Sequence, residues 1–147
     1  MGTSTDGQLC FGIMLEEEVL PWGDVSLEDM WLDTLGFSAE SPYDEFDEYK
    51  PGYSADDPRI DEYYEQKSAM LRDNPPPIEE VNYCSGDCPM MILAVPSSCL
   101  TCHRGYPLQI DPAKLVVTDE EVKALLDFCQ RFGLSGEPTW WLSSYWG

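Results

Sequence analysis

Positive charge is what this sequence has least of. Eight Lys and Arg and a single histidine, His103, stand against 28 Asp and Glu, for a formal net charge of −20 at pH 7. Nucleic acid is held largely by cations set against phosphates, so the deficit argues against direct binding to nucleic acid, and an anionic membrane surface is disfavoured for the same reason. Long apolar runs are missing as well. Nothing approaches the ~18 residues of a membrane span. The opening MGTSTDGQLC has neither the basic start nor the apolar core of an export signal, and Asp6 stands where a myristoylation signal wants Ser or Thr. The expected location is the cytoplasm, where thiols stay reduced. Recognisable catalytic signatures are absent too: there is no P-loop, dinucleotide fingerprint, EF-hand loop or G-x-S-x-G elbow. One histidine leaves a single candidate base for nucleophilic chemistry, and nothing places it beside a nucleophile. A non-catalytic protein is expected.

What is present is a core. Hydrophobic residues make up 43% of the 147 residues, enough for one ordinary domain spanning 1–147 rather than a disordered acidic tail. Residues 8–15, QLCFGIML, read as a strand, with Gly12 marking a bulge or a close approach. Ser26 is a helix N-cap. Leu27, Met30, Trp31, Thr34 and Leu35 keep helical spacing and Gly36 closes the helix, predicting a helix over 27–35. Residues 38–58, broken by Pro42, Pro51, Gly52 and Pro58, read as an acidic, Tyr-rich loop. Asp57-Pro58 then opens a second helix, with Ile60, Tyr63, Tyr64, Lys67, Met70 and Leu71 on one face, ended by Asn74 and three prolines. Residues 78–83 and 89–95 flank CSGDC and read as a β-hairpin, and Tyr106–Ile110 as a third strand. TDEEVKALLDFCQRFGL carries a full set of helix signals: a capping box of Thr118 and Glu121, a basic last turn, and Gly133 with Leu134 placed for a Schellman closure. The order predicts an α+β fold: a small, mostly antiparallel sheet of three to five strands covered by about three helices.

The stretch from Tyr83 to His103 concentrates Cys84, Cys88, Cys99, Cys102 and His103. As a pattern it resembles a zinc site, which needs thiolates converging on one ion. If Pro89–Val95 is extended it spans roughly 23 Å at ~3.3 Å per residue, and residues 96–98 return at most ~10 Å. The strand and the zinc site therefore nearly exclude one another, and the strand reading is preferred, with no cofactor expected. Cys99-Leu100-Thr101-Cys102-His103 also matches the haem c attachment pattern, whose chemistry belongs to exported proteins. A thioredoxin-like reading would need a helix directly after the first Cys. A zinc- or redox-active module built on these five residues is thus the alternative reading. A third is a binder of a small ligand, nucleotide or metabolite, or an enzyme, with an aromatic pocket made by the tryptophans.

The strongest functional pointer is 40–65, ESPYDEFDEYKPGYSADDPRIDEYYE. Ten acids are interleaved with five tyrosines and one phenylalanine, against Lys50 and Arg59. A solvated acidic face has no need of tyrosines, whereas interface cores are enriched in them. The expected partner-binding residues are Tyr43, Asp44, Glu45, Asp47, Glu48, Tyr49, Tyr53, Asp56, Asp57, Asp61 and Glu62. The expected partner is a basic protein, of the kind that itself binds nucleic acid, drawn by complementary fields. Trp140, Trp141, Tyr145 and Trp146 offer either a second contact patch or a seal on the core or sheet edge. In size, charge and compactness the chain resembles the small acidic inhibitors of bacteriophages and mobile elements. These include DNA mimics, whose carboxylates imitate phosphates spaced one per ~1.7 Å of duplex. The resemblance implies an antagonist of a host-defence or nucleic-acid enzyme.

Overall fold

The computed structural model describes residues 5–15, 20–44, 46 and 48–146. Its class is the expected α+β, with three α-helices and a five-stranded mixed sheet among the described residues. The chain divides into two compact units, 24–76 and the remainder on either side of it. No described helix is long and apolar enough to cross a membrane.

In the larger unit, β1 (Thr5–Met14) is the organising strand. One of its edges pairs antiparallel with β5 (Thr139–Trp146), from Thr5 opposite Trp146 to Gly12 opposite Thr139. Its other edge is shared. Gly7–Leu9 pair with β4 (Leu100–Cys102), and Gly12–Met14 with β3 (Cys88–Ala94). Between those two stretches a 3-10 turn at Pro96–Ser98 interrupts the ladder. There the Phe11 N–H donates to Ser98 Oγ at 2.9 Å, and the Val95 N–H to the Phe11 carbonyl at 2.9 Å. Strand β2 (Glu79–Ser85) forms a hairpin with β3 and runs parallel to β5 at Cys84 and Ser85. The order is β3-β2-β5-β1-β4, with β3 also paired to β1, so the pairings close into a ring of β1, β3, β2 and β5.

Closure puts backbone against backbone at Gly12. A Cβ there would lie 2.2 Å from the Leu93 carbonyl oxygen, so glycine is required by the approach itself. Inside the ring, Cys10, Val81, Ile92 and Ala94 form a cluster against which Tyr83, Cys99 and Trp141 pack. Helix α3 (Asp119–Arg131) begins at the predicted capping box and buries Leu125, Phe128 and Cys129. It ends in the predicted Schellman closure, Leu134 N–H to Cys129 O and Gly133 N–H to Gln130 O. Trp22 meets Phe128 and Phe132 edge-on at 5.7 and 5.1 Å and donates its indole N–H to Glu80.

In the 24–76 unit, α1 (Leu27–Thr34) starts at Ser26, whose hydroxyl accepts the Asp29 N–H. Helix α2 (Pro58–Asp73) starts at Asp57 with proline at its first position. The two are tied by the Trp31 indole N–H on the Asn74 carbonyl at 2.8 Å and by the Lys67–Asp29 ion pair at 2.6 Å.

Two expectations differ from the structure. Tyr106–Ile110 forms no ladder; the strand on that edge of β1 is Leu100–Cys102. Pro107 has no N–H to offer a ladder, and a turn bonding the Tyr106 N–H to the His103 carbonyl comes first. The hairpin is tighter than predicted. Ser85 pairs with Cys88, so Cys84 and Cys88 lie within strands, and Cys84 takes a φ of 74°.

Candidate binding surface

The 38–58 loop holds itself together by local chemistry. Tyr43 and Tyr49 form an antiparallel bridge. The Asp44 N–H bonds the Glu48 carbonyl at 2.8 Å, and the Lys50 N–H the Pro42 carbonyl at 2.9 Å. The Asp44 carboxylate folds back to accept the N–H groups of Phe46 and Glu48 at 2.8 and 3.0 Å, as short acidic side chains do in turns. This makes a small hairpin whose tip carries Phe46, 75% exposed.

The tyrosines brace that hairpin. Tyr43 and Tyr49 stack with centroids 5.1 Å apart. Tyr43 reaches Tyr64 at 6.4 Å, Tyr64 meets Tyr63 at 5.4 Å, and Tyr63 meets Phe37 at 6.1 Å. Five rings thus run in series from the end of α1 across α2 to the hairpin, at the spacings aromatic pairs favour. The hydrogen bond that the Tyr49 hydroxyl donates to Tyr43, with some desolvation, holds the Tyr49 phenol above its ordinary range. Tyr53 is used differently: the Arg59 guanidinium sits 4.1 Å above its ring.

The unit's cations are largely consumed by its own acids. Of its 15 acids and four bases, Lys50 pairs with Glu40 at 2.9 Å, Arg59 with Asp57 at 2.6 Å and Lys67 with Asp29 at 2.6 Å. Arg59 hydrogen bonds hold the Asp57 carboxyl down at about 2, and the Lys50 hydrogen bond lowers Glu40. Asp24, Glu28, Asp33, Asp44, Glu48, Asp56, Asp61, Glu62, Glu65 and Asp73 are exposed. None of them takes part in an ion pair among the described residues.

Of the eleven residues expected at a partner surface, Tyr43 and Tyr49 come together directly. Asp44 and Glu48 flank them on the hairpin, while Asp61 and Glu62 lie on the first turns of α2, which the ring series joins to the hairpin. Asp56 is exposed beside the helix start. Tyr53 and Asp57 are engaged by Arg59, and Asp57 also caps α2. Glu45 and Asp47 lie outside the described residues. Phe46, Tyr63 and Tyr64 were missed as individual site residues. The signal for Phe46 was one apolar side chain centred in D-E-F-D-E.

The cysteine stretch does not assemble among the described groups. Cys84 lines a cleft with Met90 and Trp141, Cys99 a second with Gln8 and Glu79, and Cys102 and His103 a third. His103 Nδ1 lies 3.1 Å from Asp6. No group of three or more His, Cys, Asp or Glu is arranged to hold a metal among the described residues; the Cys88 side chain lies outside them. The C-terminal aromatics divide between their two readings. Trp141 packs into the ring and donates its indole N–H to the Gly12 carbonyl at 3.0 Å, and Trp140 meets Phe11 edge-on at 5.5 Å. Trp146 and Leu142 are 56% and 82% exposed.

Comparison with family models, with curated proteins and with solved structures finds no match to this chain.

Proposed function

We propose that this protein is a non-catalytic acidic interaction protein. It binds and inhibits a basic partner of the kind that itself binds nucleic acid, acting as a phage-type antagonist or DNA mimic. The observation that carries this is the charge arrangement of the 24–76 unit. Three of its four cations are paired with its own acids, and ten carboxylates stay exposed on a frame stiffened by five rings in series. Fixed charges of one sign raise encounter rates with an oppositely charged surface. A rigid aromatic-bearing hairpin supplies the low-entropy contact that charge alone lacks.

The test replaces Asp44, Glu45, Asp47 and Glu48 together by Lys. Wild-type protein immobilised in host lysate should retain a dominant basic protein at low ionic strength, release it at high ionic strength, and lose it to added duplex DNA. The folded four-Lys variant should not retain it. Equal retention by that variant, or indifference of the complex to duplex DNA, rules the reading out.

A further inference from the structure

Register and hydrogen-bond phase together place two cysteines face to face. On the β1 edge, Gly7, Gln8 and Leu9 oppose Cys102, Thr101 and Leu100. One step further along the same register sets Cys10 against Cys99. The phase of the ladder follows from Phe11. Its N–H and its carbonyl both engage this edge, through Ser98 Oγ and the Val95 N–H. Alternation then turns the main-chain groups of Cys10 toward β5 instead. Cys10 and Cys99 are therefore a non-hydrogen-bonded cross-strand pair, the kind whose Cα atoms lie only about 4.5 Å apart and whose side chains lie closest. A disulfide needs Cα atoms about 4.4–6.8 Å apart. The side chains also share a side of the sheet, since Cys99 packs on the cluster that contains Cys10. Both are free thiols.

We propose that Cys10 and Cys99 form an oxidisable dithiol that closes into a cross-strand disulfide by exchange with a small-molecule disulfide. The two thiols differ in access, and access sets the order of events. Cys10 is 1% exposed, whereas Cys99 is half-buried and lines a cleft of about 250 Å³ together with Gln8, Glu79, Thr101 and Tyr145. Cys99 gives its proton to solvent and attacks one sulfur of the reagent, expelling the first thiolate and forming a mixed disulfide. Cys10 then loses its proton and attacks the Cys99 sulfur, expelling the second thiolate. Two protein thiols are oxidised, and one reagent disulfide is reduced to two thiols. Burial, with the Glu79 charge adding to it, pushes the Cys99 and Cys10 thiols up to about 12 and about 11. Exchange is accordingly slow at neutral pH. Its consequence follows from connectivity. Cys10 precedes and Cys99 follows the 24–76 unit in the chain, so the bond ties together the two segments of the larger unit that this insertion separates.

The experiment incubates the full chain with excess glutathione disulfide at mildly alkaline pH, quenches with acid, and maps the cysteines by mass spectrometry without reduction. The expected result is a peptide pair joined through Cys10 and Cys99, a loss of two hydrogens from the intact mass, reversal by reductant, and a raised thermal midpoint. Cys99→Ser should abolish all of these. The proposal is overturned by a stable glutathione adduct on Cys99 with Cys10 still alkylated after denaturation, by linkage of either residue to another cysteine, or by recovery of both as unmodified thiols.

Discussion

Replacing Gly12 by alanine adds one methyl group at the point where the sheet closes on itself. That methyl would sit 2.2 Å from the Leu93 carbonyl oxygen, 2.7 Å from the Ala94 Cα and 2.9 Å from the Leu93 carbonyl carbon. All three are backbone atoms of β3, so no rotamer change relieves the overlap. The strands must move apart, which strips hydrogen bonds from the β1–β3 pairing and opens the cluster containing Ile92 and Ala94. Overpacking against side chains costs about 1–3 kcal/mol, and a clash with backbone belongs at or above the top of that range, about 3 kcal/mol. With an m-value of about 2 kcal/mol/M, the urea midpoint should fall by roughly 1.5 M. Gly7→Ala is the internal control. It lies on the same strand, but its new methyl meets nothing nearer than 3.8 Å. There the smaller entropy of the unfolded chain should leave stability unchanged or raise it by up to ~1 kcal/mol, a midpoint rise of at most about 0.5 M. The assay is equilibrium urea unfolding followed by tryptophan fluorescence. Midpoints for Gly12→Ala and wild type that agree within error would refute the closure of β3 on β1.

Three further outcomes follow. Thr118→Ala removes the hydroxyl that accepts the Glu121 N–H in the capping box of α3; it should cost ~1 kcal/mol and lower the thermal midpoint, and an unchanged midpoint contradicts the cap. Phe46→Ala, at a 75% exposed tip, should alter stability by less than ~0.5 kcal/mol yet weaken the partner by ~2 kcal/mol, about thirtyfold in Kd, and wild-type affinity would remove Phe46 from the contact. Burial first, and the Glu79 charge second, push the Cys10 thiol from 9.0 up to about 11. The folded state then holds this proton more tightly than the unfolded state. The contribution is fully present below pH 9 and is lost as pH rises through about 11. Cys10→Ala should therefore show a shallower alkaline loss of its urea midpoint than wild type, and parallel curves would contradict the shift.

Helices were legible because their ends are written in local chemistry. Ser26, Asp57 and Thr118 each cap the helix they were expected to cap, and Gly36 and Gly133 close α1 and α3 in the left-handed conformation. Strands were legible where a short apolar run or a turn signal marked them. β5 is TWWLSSYW, without alternation, and its strand state comes from pairing along the whole of β1, a contact between distant parts of the chain. The ring closure was hinted at only by Gly12. Tyr106–Ile110 looked like a strand because its apolar residues alternate, but pattern cannot supply a partner edge, and the edge was already held by Leu100–Cys102. The composition of the acidic surface was legible and its geometry was not. Sequence could not tell that Tyr43, Tyr49, Tyr63 and Tyr64 form one series, or that Asp57 is spent on Arg59.

The same features decide how salt separates a binding face from a merely solvated one. The 24–76 unit has 53 residues, a size at which burial alone leaves a fold marginal. Its exposed carboxylates repel one another, and its internal ion pairs only partly offset this. Raising the ionic strength from 0.1 to 1 M shortens the screening length from about 10 Å to about 3 Å. The repulsion weakens, so the unit becomes more stable and the amides of α2 exchange with solvent more slowly. Complex formation moves the other way, because the same screening weakens attraction to a basic partner. A partner at 100 times its Kd would stabilise the unit by ~2.7 kcal/mol, and that gain should shrink as salt is added. Opposite salt responses of the free and bound unit, measured by exchange at the α2 amides, are what a recognition surface requires. If salt stabilised both forms alike, the carboxylates would be serving solubility and the partner would be held by something else.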